Sequence, residues 1–236
     1  MTETTEVHAA VPVLETKLRR PTVSSLHVAR QRLLAQGARC VSGEVSRLLV
    51  DGPTQPAVLL ADGQRHAADR VLVAAGAWSA RLARTIGDHP LLESERGYNS
   101  TLPASTGMLQ REVIFAERRF VATPLSVGLR IGGAAEFAGL EAPANYRRSE
   151  ALLQLARRYL PELDVRGSRP WMGNRPATPD SLPVIGGSPA HPGVLYAFGH
   201  GHLGLTQSAT TGELVGQLLD SARPSIDLEP YRVDRF

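Results

Sequence analysis

The sequence predicts a mixed α/β fold in which parallel-type elements at the two ends of the chain enclose an antiparallel sheet in the middle. Three observations carry this expectation. The run Arg70-Val71-Leu72-Val73-Ala74-Ala75 is short, apolar and followed by Gly76, as in a strand buried within a parallel sheet. A second strand-like run, 193–198, enters the glycine-rich turn Gly199-His200-Gly201-His202-Leu203-Gly204 and leaves as a helix. Between them lie short strand-like stretches separated by turn residues, the pattern of antiparallel strands.

Taken in order, residues 1–22 read as frayed, with Pro12 and Pro21 and no periodicity. Residues 24–36 fit a helix: Ser24 or Ser25 can cap it, Leu26, Ala29, Leu33 and Leu34 line one face, and Gly37 sits at its stop. Residues 39–45 and 47–50 are strand-like, and 57–61 and 64–68 alternate about Asp62-Gly63, a strong hairpin signal. After the apolar run at 70–75 a short helix over 78–86 stops at Gly87. Residues 96–102, 113–115, 119–123 and 129–133 read as antiparallel strands. Ser149 can cap a helix over 150–160, whose stripe of Leu152, Leu153, Ala156, Tyr159 and Leu160 belongs to a core; Pro161 ends it. The last helix is expected over 204–219.

With 236 residues and 42% hydrophobic content, the chain can bury a sizeable core. No stretch approaches the roughly 18 consecutive apolar residues of a membrane span. The polar start of the chain lacks the pattern of a secretory signal. Cys40 is the only cysteine, so no internal disulfide can form, and the expected location is the cytoplasm, or the periphery of the inner membrane. The net charge is only +3, and the basic residues are almost all arginines in scattered pairs. Nucleic acid is excluded as a partner because no basic stripe with interleaved aromatics is present.

Two segments carry chemistry. Glycines in 199–204 let the backbone approach a ligand closely, and the first N–H groups of the following helix have no intrahelical partner. Such an end suits a phosphate or the developing negative charge of a reduced flavin; it also suits a tight turn with no ligand. His200 and His202, two residues apart without a nearby carboxylate or cysteine, do not make a metal site. Arg175, held between Asn174 and Pro176 in what reads as a rigid turn, offers a planar fork that matches a carboxylate. A salt bridge to a local acid such as Asp180 would satisfy it equally.

Residues 165–222 resemble the C-terminal part of the FAD-dependent D-amino-acid oxidase and dehydrogenase family, closest to the bacterial D-amino-acid dehydrogenase small-subunit type. The pattern is Gly173-x-Arg175-Pro176-x-x-Pro179-Asp180-x-x-Pro183-x-Ile185-Gly186, then Phe198-Gly199-His200-Gly201-x-x-Gly204-Leu205-Thr206 and a helix. Gly43-Glu44-Val45, the stretch 71–79, Arg96-Gly97-Tyr98 and the stretch 129–137 are similar to further parts of that family. The resemblance implies an incomplete FAD-binding, Rossmann-like region interleaved with an antiparallel-sheet substrate domain. It divides the chain into a partial FAD-binding region at 23–90, a substrate domain at 91–170, a C-terminal segment for FAD and substrate at 171–222, and a tail at 223–236.

The resemblance assigns Arg175 to the substrate carboxylate, with Tyr98 and His202 also set beside the substrate. It assigns Val45, Ala75 and Gly76 to the adenosine side of FAD, and Gly201, His202, Leu203, Gly204, Leu205 and Thr206 to the flavin ring. No side chain is assigned as catalytic, because the flavin carries the redox chemistry, and no metal is expected. The implied reaction is hydride transfer from the Cα of a small amino acid to the flavin, giving an imino acid that hydrolyses to a 2-oxo acid.

Two departures qualify the resemblance. No Gly-x-Gly-x-x-Gly fingerprint for the FAD pyrophosphate occurs before residue 87. The expectation is therefore a truncated form or a subunit that binds FAD weakly or not at all by itself, with a hetero-oligomeric partner as one source of the missing unit. Asn174 stands where relatives carry an apolar residue, which would put a polar group beside the substrate. The alternatives are a non-catalytic remnant or partner subunit that keeps the fold, and an amino-acid-binding module without the redox step. A hydrolase finds little support, since there is no Gly-x-Ser-x-Gly elbow.

Overall fold

A computed structural model describes residues 8–10, 24–50 and 55–236; the side chains of 8–10 and 24–27 lie outside the description. The chain runs β1 (His8–Ala10), α1 (Ser24–Ala35), β2 (Arg39–Val41), β3 (Val45–Val50), β4 (Pro56–Leu60), β5 (Arg65–Ala67), β6 (Val71–Val73) and α2 (Ser79–Arg84). It continues through β7 (Glu93–Leu102), β8 (Val113–Phe115), β9 (Phe120–Leu125), β10 (Gly128–Phe137), α3 (Arg147–Arg157), β11 (Arg169–Ala177), β12 (Val184–Gly187), β13 (Val194–Phe198) and α4 (Ser208–Leu219). Two compact units result, one from residues 1–92 and 178–236, the other from Glu93–Ala177. The mixed α/β class stands. None of the described helices is long and apolar enough to cross a membrane.

In the first unit, β13 pairs in parallel with β6 and antiparallel with β12. β3, β4 and β5 form an antiparallel meander whose β4–β5 turn falls at Asp62-Gly63, as the sequence predicts. Gly63 takes φ +88°, and the Asp62 carboxylate accepts from the Gln64 N–H at 3.0 Å. The core gathers Leu48, Val73, Ala83, Val184, Val194, Tyr196 and Phe198. Two local expectations change. His8–Ala10, inside the stretch read as frayed, pairs in parallel with Arg39–Val41; the rest of that stretch lies outside the described residues. Val28, Leu33 and Leu34 of α1 are exposed, so the apolar face expected of this helix is not buried within the described residues.

The buried Tyr196 phenol donates to the Asp88 carboxylate at 2.5 Å, and burial is the main reason its pKa is raised. Tyr196→Phe leaves Asp88, only 8% exposed, without that donor. The expected loss is about 2 kcal/mol, the usual cost of orphaning a buried acceptor, read as a lower urea midpoint.

The second unit is a five-stranded antiparallel sheet in the order β11-β7-β10-β9-β8. α3 packs against one of its faces, with Leu102, Phe120, Ala122, Leu129 and Ile131 meeting Leu152, Ala156 and Leu163. The helix starts at Arg147, so Ser149 lies inside it rather than capping it. β11 corrects a larger reading: the segment taken as a rigid turn around Arg175 is a nine-residue edge strand. Pro170 and Pro176 are tolerated there because an edge strand hydrogen-bonds on one side only.

Candidate functional site

The β11–β7 register puts Arg175 directly opposite Glu95 and Gly173 opposite Gly97. Directly opposed residues project to one face of a sheet. Arg175 Nη1 donates to Glu95 Oε1 at 3.2 Å, with the two side chains 30% and 17% exposed. The guanidinium lies flat over Gly97, where a Cβ would collide with it, and the Trp171 indole covers Gly173 in the same way. Two facing glycines thus make a floor on which a cation and an aromatic ring rest. Asp180, the local alternative as partner for Arg175, is instead held by Arg235 through hydrogen bonds of 2.8 and 2.9 Å. Those bonds lower its pKa to about 2.

The other face of this sheet carries a second cluster. Tyr98 is buried; its phenol donates to Glu136 Oε2 at 2.6 Å and accepts from the Asn145 N–H at 3.0 Å. Arg96 reaches Glu136 at 3.4 Å and the Ala142 carbonyl at 2.6 Å, and Arg148 adds an ion pair to Glu136 at 3.2 Å. Strand alternation sets Arg96 and Tyr98 opposite in direction to Glu95 and Gly97. Tyr98 therefore ties the segment leading into α3 and does not share a face with Arg175, which corrects its assignment beside the substrate. Asn174 is corrected for the same reason: its Oδ1 accepts from the buried Ser94 hydroxyl at 2.8 Å, away from the Arg175 face. Reasoning from sequence missed Glu95 and Gly97. Period-2 alternation through Glu95-Arg96-Gly97-Tyr98 is the signal that separates the two pairs.

The remaining candidates lie in the first unit. Val45 begins β3 opposite Leu60, and Ala75 leads from β6 into Gly76, which takes φ +55° with open space around it. After β13, Gly199 and Gly201 take φ +85° and +52° and turn the chain sharply. A Cβ on Gly199 would sit 2.9 Å from Thr178, so close packing as well as φ calls for glycine there. The loop 202–206, with His202 and Thr206, is exposed, Leu203 at 52% and Leu205 at 72%. α4 starts at Ser208 rather than 204; the loop first closes through Leu203 N–H to His200 O and Gln207 N–H to Leu203 O, each 2.9 Å. His200 Nε2 lies 3.0 Å from the Thr211 hydroxyl and pins the loop to α4; burial lowers its pKa, favouring the neutral ring.

These residues fit a flavin. The loop presents two leucines free to cover a ring, and nothing crowds the Cα of Gly201. Gln207, whose N–H closes the loop, has a buried Oε1 with no hydrogen-bond partner among the described residues. Among the described residues no three His, Cys, Asp or Glu side chains gather as metal ligands.

Comparison with known proteins shows the family. A family model described as DAO, FAD dependent oxidoreductase, matches residues 25–218. A D-amino-acid oxidase of Bradyrhizobium diazoefficiens is 40% identical over 207 residues, covering 86% of this chain and 49% of that protein. A D-amino acid dehydrogenase of Paramagnetospirillum magneticum is 34% identical over 195 residues, covering 81% and 46%. The crystal structure of glycine oxidase from Geobacillus kaustophilus aligns with a TM-score of 0.75 at 28% identity, covering 86% of this chain and 55% of that one. The chain spans about half the length of these relatives.

Proposed function

The chain belongs to the DAO family of FAD-dependent oxidoreductases, and from that premise we propose that it serves the oxidation of a small amino acid by FAD. The observation that carries this reading is Arg175, spread on the glycine floor of Gly97 and paired at one end only with Glu95 in the described geometry. Such a guanidinium keeps donors for a substrate carboxylate, whose two oxygens it matches in plane. In the first unit, Val45, Ala75 and Gly76 serve the adenosine portion of FAD, and 201–206 serve the flavin ring. FAD, when bound, would accept a hydride from the substrate Cα; with loss of a proton from the amine this would leave an imino acid, which water would hydrolyse to a 2-oxo acid and ammonia.

The protein's own contributions are binding and orientation. Arg175 fixes the carboxylate, and with it the Cα, in one orientation. Leu203 and Leu205, both exposed, offer apolar surface to the flavin ring within the first unit. The neutral His200 holds the loop to α4 without adding charge near the flavin. The names of two relatives point to D-amino acids as the substrate class.

The test is visible absorbance of the purified chain with added FAD, recorded before and after anaerobic D-alanine, for wild type and Arg175→Ala. FAD is added in large excess, because without a Gly-x-Gly-x-x-Gly fingerprint before residue 87 the chain is expected to hold it weakly. Under that excess the flavin bands should fade in the wild type, with Arg175→Ala needing about a hundredfold more D-alanine from the loss of two charge-assisted hydrogen bonds. Flavin bands indifferent to every amino acid tried, or an Arg175→Ala variant equal to wild type, would overturn the reading.

A further inference from the structure

On the face of the second unit's sheet opposite α3, three side chains stand in one row across three strands. Arg175 on β11 faces Glu95 on β7, and Glu95 faces Phe137 on β10. Opposed Cβ atoms in such pairs are about 5 Å apart. The row thus reads cation, anion, apolar ring, and Phe137 is 67% exposed. We propose that Glu95 determines specificity: its carboxylate, held 3.2 Å from Arg175, makes the site select zwitterionic neutral amino acids over simple carboxylates and over acidic amino acids. The proposal rests on the reading of Arg175 as the substrate-carboxylate ligand.

A lone guanidinium attracts any anion. Glu95 cancels much of that field, so a carboxylate without an amine loses to Glu95 part of what it gains from Arg175. An ammonium group on the α-carbon turns that repulsion into attraction, while a second carboxylate adds to it. Partial burial matters here, because water and salt screen such a pair less than they screen surface charges. The pair is also fixed in place: the cross-strand register sets the two backbones, and the guanidinium rests on Gly97. Phe137 then offers apolar surface to an uncharged substrate side chain.

The experiment is a binding titration of the full chain, saturated with FAD, with D-alanine, propionate and D-aspartate as probes. Wild type, Glu95→Gln, Glu95→Asp and Arg175→Ala are compared. Wild type is expected to prefer D-alanine to either anion by about tenfold or more. Glu95→Gln should bring the D-alanine to propionate ratio to within about threefold, chiefly by tightening propionate. Glu95→Asp should keep most of the preference, which shows that charge and not shape is responsible. A Glu95→Gln variant that keeps the wild-type ratio, or weakens all three probes equally, overturns the proposal while leaving the carboxylate reading intact. An Arg175→Ala variant that binds D-alanine as wild type does, or a wild type that binds none of the three, removes the premise and the proposal together.

Discussion

Gly97→Ala is expected to leave the protein folded while removing most of its affinity for carboxylates. Gly97 has no left-handed φ, so alanine meets no backbone strain in β7. The atoms its Cβ would strike are the guanidinium atoms of Arg175, the free end of a flexible side chain, which can move aside at little cost. Moving aside, however, breaks the 3.2 Å bond to Glu95 and lifts the fork from its resting plane. A charge-assisted hydrogen bond is worth about 1.5–3 kcal/mol. Losing the fork's alignment therefore predicts about ten- to a hundredfold weaker D-alanine binding, with the urea midpoint moved by less than about 1 kcal/mol equivalent. Gly173→Ala is the matched control, since its Cβ meets the Trp171 ring instead and leaves Arg175 in place. Equal D-alanine affinity in Gly97→Ala and wild type would contradict the glycine-floor account; so would equal losses in the two variants.

The contrast between those glycines also marks what the sequence made legible. The Asp62-Gly63 hairpin, the run at 71–76 and the turn at 199–201 were readable because each is set by neighbours in the chain: turn residues, an apolar run, glycines at positive φ. β11 was not, because Pro170 and Pro176 argue against a strand until its edge position is known. With that strand read as a turn, alternation could not be applied. Asn174 on β11 and Tyr98 on β7 project from the face opposite Arg175, and relating the two strands needs their register. The counter-ion of Arg175 lies 80 residues away, at Glu95, and the acid that proximity offered, Asp180, is held by Arg235 from 55 residues away. Ion pairs across strands depend on register, which local composition does not encode. The late start of α4 has a similar cause: the bonds that close the loop at 200–207 are backbone bonds, and no side-chain signal marks where they give way to the helix.

The largest loss of stability is expected from Arg96→Ala. Arg96 is the largest fully buried side chain of the molecule's described residues, and its guanidinium joins Glu136 to the Ala142 carbonyl. Removing it leaves a cavity, an unsatisfied carbonyl and a carboxylate with one cation fewer, a combination that costs about 3 kcal/mol or more. The acid dependence gives the effect a signature. Glu136 has a lowered pKa, first because the Tyr98 phenol donates to it, then through Arg148 and Arg96. A carboxyl whose pKa is lower in the folded chain contributes stability at pH above its unfolded value and loses it as pH falls through the folded value. Arg96→Ala takes away part of that lowering, so the acid limb of the urea-midpoint profile should move to higher pH and not vanish, because Tyr98 and Arg148 remain. Arg96→Met combined with Glu136→Gln, which removes both charges, should recover part of the loss, as expected when the penalty comes from an uncompensated carboxylate rather than from packing alone. Since Glu95 and Gly97 sit on the opposite face of the same strand, D-alanine affinity measured on the folded fraction should fall only if β7 itself shifts. Unchanged affinity beside a clear drop in midpoint would assign the Arg96 cluster to holding the sheet and the Arg175 row to recognition.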